Sequence, residues 1–120
     1  MWKYSIPLFL VLLLISVGCS ESCDNENPKV QLVNNGTGKA DVQIKTSGGN
    51  TENINNIESG TFSSQRSFAP GDIEFTVTIQ GVQDPIIYVL QAQTCNEYTV
   101  TINEDNTVTS SGKKLDKTIV

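Results

Sequence analysis

The chain has 120 residues, of which 38% are hydrophobic, and its 8 basic and 13 acidic residues give a net charge of −5. This length allows one domain at most, and the acidic balance excludes the basic surface on which nucleic-acid binding depends. The chain has no histidine, which excludes Ser-His-Asp and Cys-His catalytic sets, HExxH zinc proteases and most catalytic zinc sites. We therefore expect no cofactor and no metal.

The first 18 residues have the pattern of an export signal. Lys3 supplies a positive charge, and residues 6–15 (IPLFLVLLLI) form an apolar run of ten residues. A helix that spans a bilayer needs about 20 apolar residues, so this run is too short to be one. We expect residues 1–18 to be a signal peptide that is removed after export.

Cys19 directly follows three small residues at the end of this run, in the order Ser16-Val17-Gly18. This arrangement resembles the lipobox of bacterial lipoproteins, and the acidic residues 20–26 (SESCDNE) are similar to the surface-export signal of small Bacteroidota lipoproteins. The resemblance implies cleavage by signal peptidase II before Cys19 and a diacylglyceryl group on its thiol. It also implies membrane anchoring in the cell envelope, at the outer membrane or the cell surface, with residues 19–28 as the lipidated cysteine and an acidic tether.

A plain secretory signal is the alternative interpretation of the same residues. Ser16 and Gly18 also satisfy the small-residue rule of ordinary signal peptidase. In addition, Ser16 stands where the lipobox usually has leucine. Cleavage after Gly18 without lipidation would give a secreted or periplasmic protein, and both interpretations stay open here.

Alternation of apolar and polar residues begins after Pro28. Two such runs, at 29–33 and 40–45, are separated by Asn-Asn-Gly-Thr-Gly. Asn-Gly between alternating runs favours a tight turn because both residues tolerate positive φ. Residues 29–46 are therefore predicted to form a hairpin.

The middle of the chain has weaker patterning. Residues 47–60 are rich in Asn, Ser and Gly, which predicts a long surface loop with at most one short edge strand. Phe62 and Phe68 have the same parity, so one strand is predicted over 61–68 with both aromatic rings on one face.

Four further strands are predicted in the second half. The clearest, 72–80, alternates strictly, whereas 86–90 is apolar on both faces and is predicted to be a central strand. Residues 98–103 and 107–109 complete a predicted four-stranded meander.

About seven strands with frequent turn signals and no convincing helix predict an all-β fold, a small antiparallel β-sandwich. Its outline is expected to be immunoglobulin-like or transthyretin-like. We assign the sandwich to residues 29–111 and a flexible tail to residues 112–120.

Two cysteines remain if Cys19 carries a lipid. An exported chain can form disulfides, so we predict a bond between Cys23 and Cys95. The alternatives are two unpaired thiols, or a bond between Cys19 and Cys23 if no lipid is attached.

The function predicted from these patterns is that of a non-enzymatic, lipid-anchored envelope protein. Its sandwich would bind a protein or glycan partner, or serve an accessory structural role, through loop 47–60 or a sheet edge. The alternative is a hydrolase, or a hydrolase inhibitor, that uses a facing pair of carboxylates. The candidates are Asp72, Glu74, Asp84, Glu97 and Glu104. The turn at 103–106 offers oxygen ligands but lacks the spacing of an EF-hand calcium loop.

Overall fold

The computed structural model describes residues 23–115, and these form a β-sandwich without helices. The strands are β1 (Lys29–Asn34), β2 (Ala40–Lys45), β3 (Thr51–Ile57), β4 (Thr61–Phe62), β5 (Arg66–Ser67), β6 (Gly71–Ile79), β7 (Ile86–Ala92), β8 (Asn96–Ile102) and β9 (Val108–Lys114). The all-β sandwich class predicted from the sequence is thereby confirmed, with nine strands rather than about seven in the described part.

The strands belong to two sheets. The first has the order β4-β1-β8-β9, with β5 also paired to β1, and the second has the order β3-β2-β6-β7. All pairs are antiparallel except β1 with β8, which run parallel in continuous register. The predicted sandwich is therefore mixed in its first sheet.

The core lies between the sheets and consists of the inward residues of alternating strands. β6 contributes most, because all four of its odd-numbered apolar residues from Ile73 to Ile79 are at most 1% exposed. The second sheet adds Ala40, Val42, Ile44, Leu90 and Ala92, and the first sheet adds Val30, Leu32, Val100 and Ile102. Burial of this alternating set is the main force that joins the two sheets.

The predicted hairpin over 29–46 is wrong, because β1 and β2 lie in different sheets. The segment between them crosses from one sheet to the other and is organised by the fully buried Asn34. Its Nδ2 donates to the carbonyl oxygens of Gly38 and Ile57, and its Oδ1 accepts from the backbone N–H of Gly36. An Asn-Gly pair favours a turn but does not require the strands on its two sides to pair, and here the hydrogen bonds of the buried Asn34 stabilise a crossing between the sheets.

The predicted loop 47–60 contains the seven-residue strand β3, which pairs with β2 at the edge of the second sheet. Its register shifts between Ala40 and Val42, and Asn56 has a φ of 61°. The bulge lets Ile54 and Ile57, three positions apart, both pack against the core. A period of two cannot detect such a strand.

The single strand predicted over 61–68 is also wrong. It is divided into β4 and β5, both paired with β1, and Ser63 lies between them. Ser63 donates its backbone N–H to the carbonyl of Leu32, and its Oγ accepts from the N–H of Leu32. Across this interruption the parity changes, so that Phe62 is exposed whereas Phe68 is buried.

The second half matches the predicted strand positions more closely than the predicted topology. The strand over 72–80 is confirmed as β6. However, the predicted meander is wrong, since β6 and β7 form one hairpin in the second sheet and β8 and β9 another in the first. β9 continues to Lys114, three residues past the predicted end of the sandwich at 111.

The predicted disulfide between Cys23 and Cys95 is confirmed. Cys95 lies where the chain passes from β7 to β8. It donates its N–H to the carbonyl of Glu26 and accepts a hydrogen bond from the N–H of Leu115.

The segment after Cys23 is also attached to the domain at Pro28, which is buried and accepts a hydrogen bond from the N–H of Phe68. Residues 23–28 are therefore bound to the domain, so that only residues 19–22 of the predicted tether lie outside the described residues. We call this end of the sandwich the Cys95 end.

Candidate functional site

The strand β7 forms one edge of the second sheet and leaves that edge open. Within the described residues its backbone is paired with β6 alone. Its sequence, IIYVLQA, contains no charged residue. The sequence predicted a central strand here, and that prediction is wrong, because the second apolar face is turned to solvent rather than covered.

The hydrogen bonds between β6 and β2 show which backbone groups of β7 point away from the sheet. Gln80 donates its N–H to the carbonyl of Lys39, which continues the pairing of β6 with β2. Backbone groups alternate in direction along a strand, so even-numbered residues of β6 face β2 and odd-numbered residues face β7.

The odd-numbered residues of β6 stand opposite Ile86, Tyr88, Leu90 and Ala92. These four residues of β7 therefore exchange hydrogen bonds with β6. Ile87, Val89 and Gln91 point their N–H and C=O groups away from the sheet. The N–H of Gln93, next in the same alternation, is already taken, because it donates to the hydroxyl of Tyr98.

Two apolar side chains stand on the outer face of this edge. Ile87 is 61% exposed and Val89 is 50% exposed, and both are among the exposed large hydrophobic residues of the described chain. Among the inward side chains of the same strand, Tyr88 shares a hydrogen bond with Ser110 of β9 across the sandwich. The edge thus combines a row of free backbone groups with an apolar outer face.

The other edges carry features that discourage pairing with a further strand. β9 ends in Gly-Lys-Lys, and β3 contains a bulge and Glu52. β4 and β5 have two residues each. Of the described edge strands longer than two residues, β7 is the one without a charge or a bulge.

A separate feature is a shallow polar groove of about 220 Å³ on the outer face of the first sheet, lined by Gln31, Gln65, Glu97, Tyr98, Thr99, Ser111, Gly112 and Lys113. Glu97 is the one carboxylate in this lining, and it stands in register with Lys29 on β1 and Lys113 on β9. A facing pair of carboxylates, which the hydrolase alternative requires, is not formed in this groove.

The turn at 103–107 uses its oxygen atoms internally. Asp105 accepts hydrogen bonds from the hydroxyl and the backbone N–H of Thr107, and these bonds lower the pKa of this exposed carboxyl. Asn103 donates to Thr107 and Thr109, and Asn106 is bonded to Thr37 in the crossing between the sheets. These contacts account for the Asn- and Asp-rich composition as turn chemistry. Within residues 23–115 there is no group of three acidic or cysteine side chains placed to hold a metal ion.

The structure describes two of the three predicted site residues. Cys23 and Cys95 are joined, whereas Cys19 lies outside the described residues. The predicted binding loop 47–60 is mostly strand β3, so its free part is limited to the turn before Thr51 and the turn after Ile57. In the described part of the chain, no helix has the length and apolar character needed to cross a membrane.

The feature with the clearest capacity for recognition is therefore the β7 edge, which we define as the free backbone groups of Ile87, Val89 and Gln91 with the outer side chains of the first two. Such an edge can accept an extended segment through main-chain hydrogen bonds. The chain matches no model of a known protein family and no curated protein sequence.

Proposed function

We propose that this protein is a lipid-anchored, non-enzymatic component of the bacterial cell envelope that docks another polypeptide on its β7 edge. Cys19 would carry the lipid, and the sandwich would be the recognition unit. The observation that carries the docking part of the proposal is the open, uncharged strand β7 with two exposed apolar side chains.

The disulfide supports export and defines how the domain would be attached. Structural disulfides persist in oxidising compartments outside the cytosol. Cys23 is bonded to Cys95 at one end of the sandwich, and Cys19 precedes it by four residues. Four residues span at most about 14 Å. A lipid on Cys19 would therefore hold the Cys95 end close to the membrane.

This attachment would leave β7 accessible along its whole length. The strand begins at Ile86, at the end of the sandwich far from Cys95, and runs down to Ala92 at the Cys95 end. A short anchor at one end of the sandwich restricts the position of the domain without covering the strand edges along its sides. The proposal thus assigns location to the leader and recognition to the sheet edge.

Metabolic labelling of the full chain with an alkyne analogue of palmitate tests the anchor. We expect labelling of the native chain and none of Cys19→Ala. The control is Cys23→Ala/Cys95→Ala, which retains Cys19 and should be labelled like the native chain. Equal labelling of Cys19→Ala, or an unlabelled native chain, would contradict the anchor.

A further inference from the structure

We propose that the partner of the β7 edge is a second copy of this chain, and that the two β7 strands pair antiparallel about a two-fold axis. This inference deepens the docking part of the proposed function and does not require the lipid. It joins the two four-stranded sheets, one from each copy, into one continuous sheet.

The alternation of backbone groups allows this pairing without any change in the strand. A hydrogen-bonded antiparallel pair needs outward-facing groups on both residues. With Val89 opposite Val89 of the second copy, Ile87 stands opposite Gln91, and every one of these residues has free N–H and C=O groups. About six backbone hydrogen bonds form across the axis.

The same register brings the exposed apolar side chains together. Val89 meets its own copy on the outer face, and Ile87 lies diagonal to Val89 of the second copy. Ile87 and Val89, which are 61% and 50% exposed in the single chain, are thereby covered on the side that faces the two-fold axis. Removal of this surface from water favours association.

Charge favours this edge over the others for contact between two acidic chains. Among the cross-strand neighbours in line with Val89, the nearest carboxylate is that of Glu74. Glu74 lies on β6, opposite Val89 of β7 on one side and Lys45 of β2 on the other. The two copies of Glu74 are separated by three interstrand spacings, about 14 Å. That distance exceeds the Debye length of about 8 Å at physiological salt, so their repulsion is largely screened. Self-pairing of β9 would instead bring Lys113 and Lys114 of both copies to one edge.

Co-purification of two differently tagged full-length chains from one bacterial culture tests this inference. We expect the native chains to co-purify and Val89→Lys to reduce co-purification by about ten-fold or more, because like charges then face each other across the axis. Gln43→Lys is the matched control, since Gln43 is exposed on the outer face of the same sheet but lies in β2, two strands from the edge. It should co-purify like the native chain.

A photo-crosslinking residue in place of Gln91 separates failure of this inference from failure of the proposed function. A crosslinked band of twice the chain mass that carries both tags is expected. A band of another mass that carries one tag would overturn pairing with a second copy while leaving β7 as a docking edge. No band at all would overturn both. Native co-purification that survives Val89→Lys would overturn the assignment to β7.

Discussion

The Nδ2 of Asn34 donates a 2.8 Å hydrogen bond to the carbonyl oxygen of Ile57, and this bond joins β1 of one sheet to β3 of the other. Asn34 is fully buried, and its remaining bonds to Gly38 and Gly36 shape the crossing between the sheets. A buried polar side chain whose donors and acceptor are all used makes one chain path more stable than its alternatives.

Replacement of Asn34 should therefore be costly. Asn34→Ala leaves two carbonyls and one N–H without their partner, and we expect the free energy of unfolding to fall by about 3 kcal/mol. Urea unfolding followed by circular dichroism measures this loss. Asn35→Ala, at the exposed neighbouring position, is the control and should change stability by less than about 0.5 kcal/mol. Equal effects of the two variants would contradict the role of Asn34.

Loss of the disulfide should destabilise the domain because the bond closes a loop of 72 residues. We expect Cys23→Ser/Cys95→Ser to lower the free energy of unfolding by about 3 to 5 kcal/mol. Thermal unfolding of the variant beside the oxidised native chain measures the difference. An unchanged midpoint would contradict a structural role for the bond.

The backbone at Cys95 refines this prediction. Its φ is 61°, a left-handed conformation that glycine adopts more easily than other residues. Cys23→Ser/Cys95→Gly should therefore be more stable than Cys23→Ser/Cys95→Ser, by about 1 kcal/mol. The same unfolding measurement compares them, and the reverse order would show that the turn does not keep this conformation.

The pKa of Asp105 is predicted to depend on Thr107. Hydrogen bonds from the Thr107 hydroxyl and N–H hold the pKa of Asp105 below 3.8, its ordinary value. Because the folded-state pKa is depressed, the associated stabilisation is present above the unfolded value and is lost as the pH falls through the folded one. In an NMR pH titration, Thr107→Val should raise the pKa of Asp105, whereas Thr107→Ser keeps a hydroxyl and should leave it low. Identical titrations of both variants would refute this cause.

The ion pair between Glu52 and Arg66 links β3 to β5 with a distance of 3.0 Å between Oε1 and the guanidinium nitrogen Nη1. Both side chains are substantially exposed, so we expect a coupling energy of about 0.5 kcal/mol. A double-mutant cycle with Glu52→Gln and Arg66→Gln measures it, and it should decrease in high salt. A coupling energy of several kcal/mol would contradict this expectation and would mean that the ion pair contributes strongly to holding the two sheets together.

Sequence patterns were sufficient where alternation was undisturbed, as in β6, whose strict period of two matches its buried inner face. They failed where one extra residue changes the parity. The bulge in β3 and the interruption at Ser63 are both of this kind. A local pattern also cannot state which strands become neighbours, and the buried hydrogen bonds of Asn34 that stabilise the first crossing connect residues up to 23 positions apart.

The β7 edge illustrates a further limit of sequence reasoning. An apolar strand is expected at the centre of a sheet because burial stabilises both of its faces. In this chain the same composition occurs at an edge, and only the pairing of β6 with β2 and β7 reveals it. The Cys23–Cys95 bond, by contrast, was predicted by counting the cysteines of a chain with a predicted export signal. The lipid on Cys19 stays a prediction.

The most direct test of the proposed function is the intact mass of the mature protein isolated from a whole bacterial culture, cells and medium together. We expect a chain that begins at Cys19, carries the added mass of a diacylglyceryl group and of an acyl chain on its amino terminus, and gains two hydrogens when the Cys23–Cys95 bond is reduced. A chain that begins at Cys19 without any added lipid mass would contradict the proposed anchor and identify a plain secreted protein.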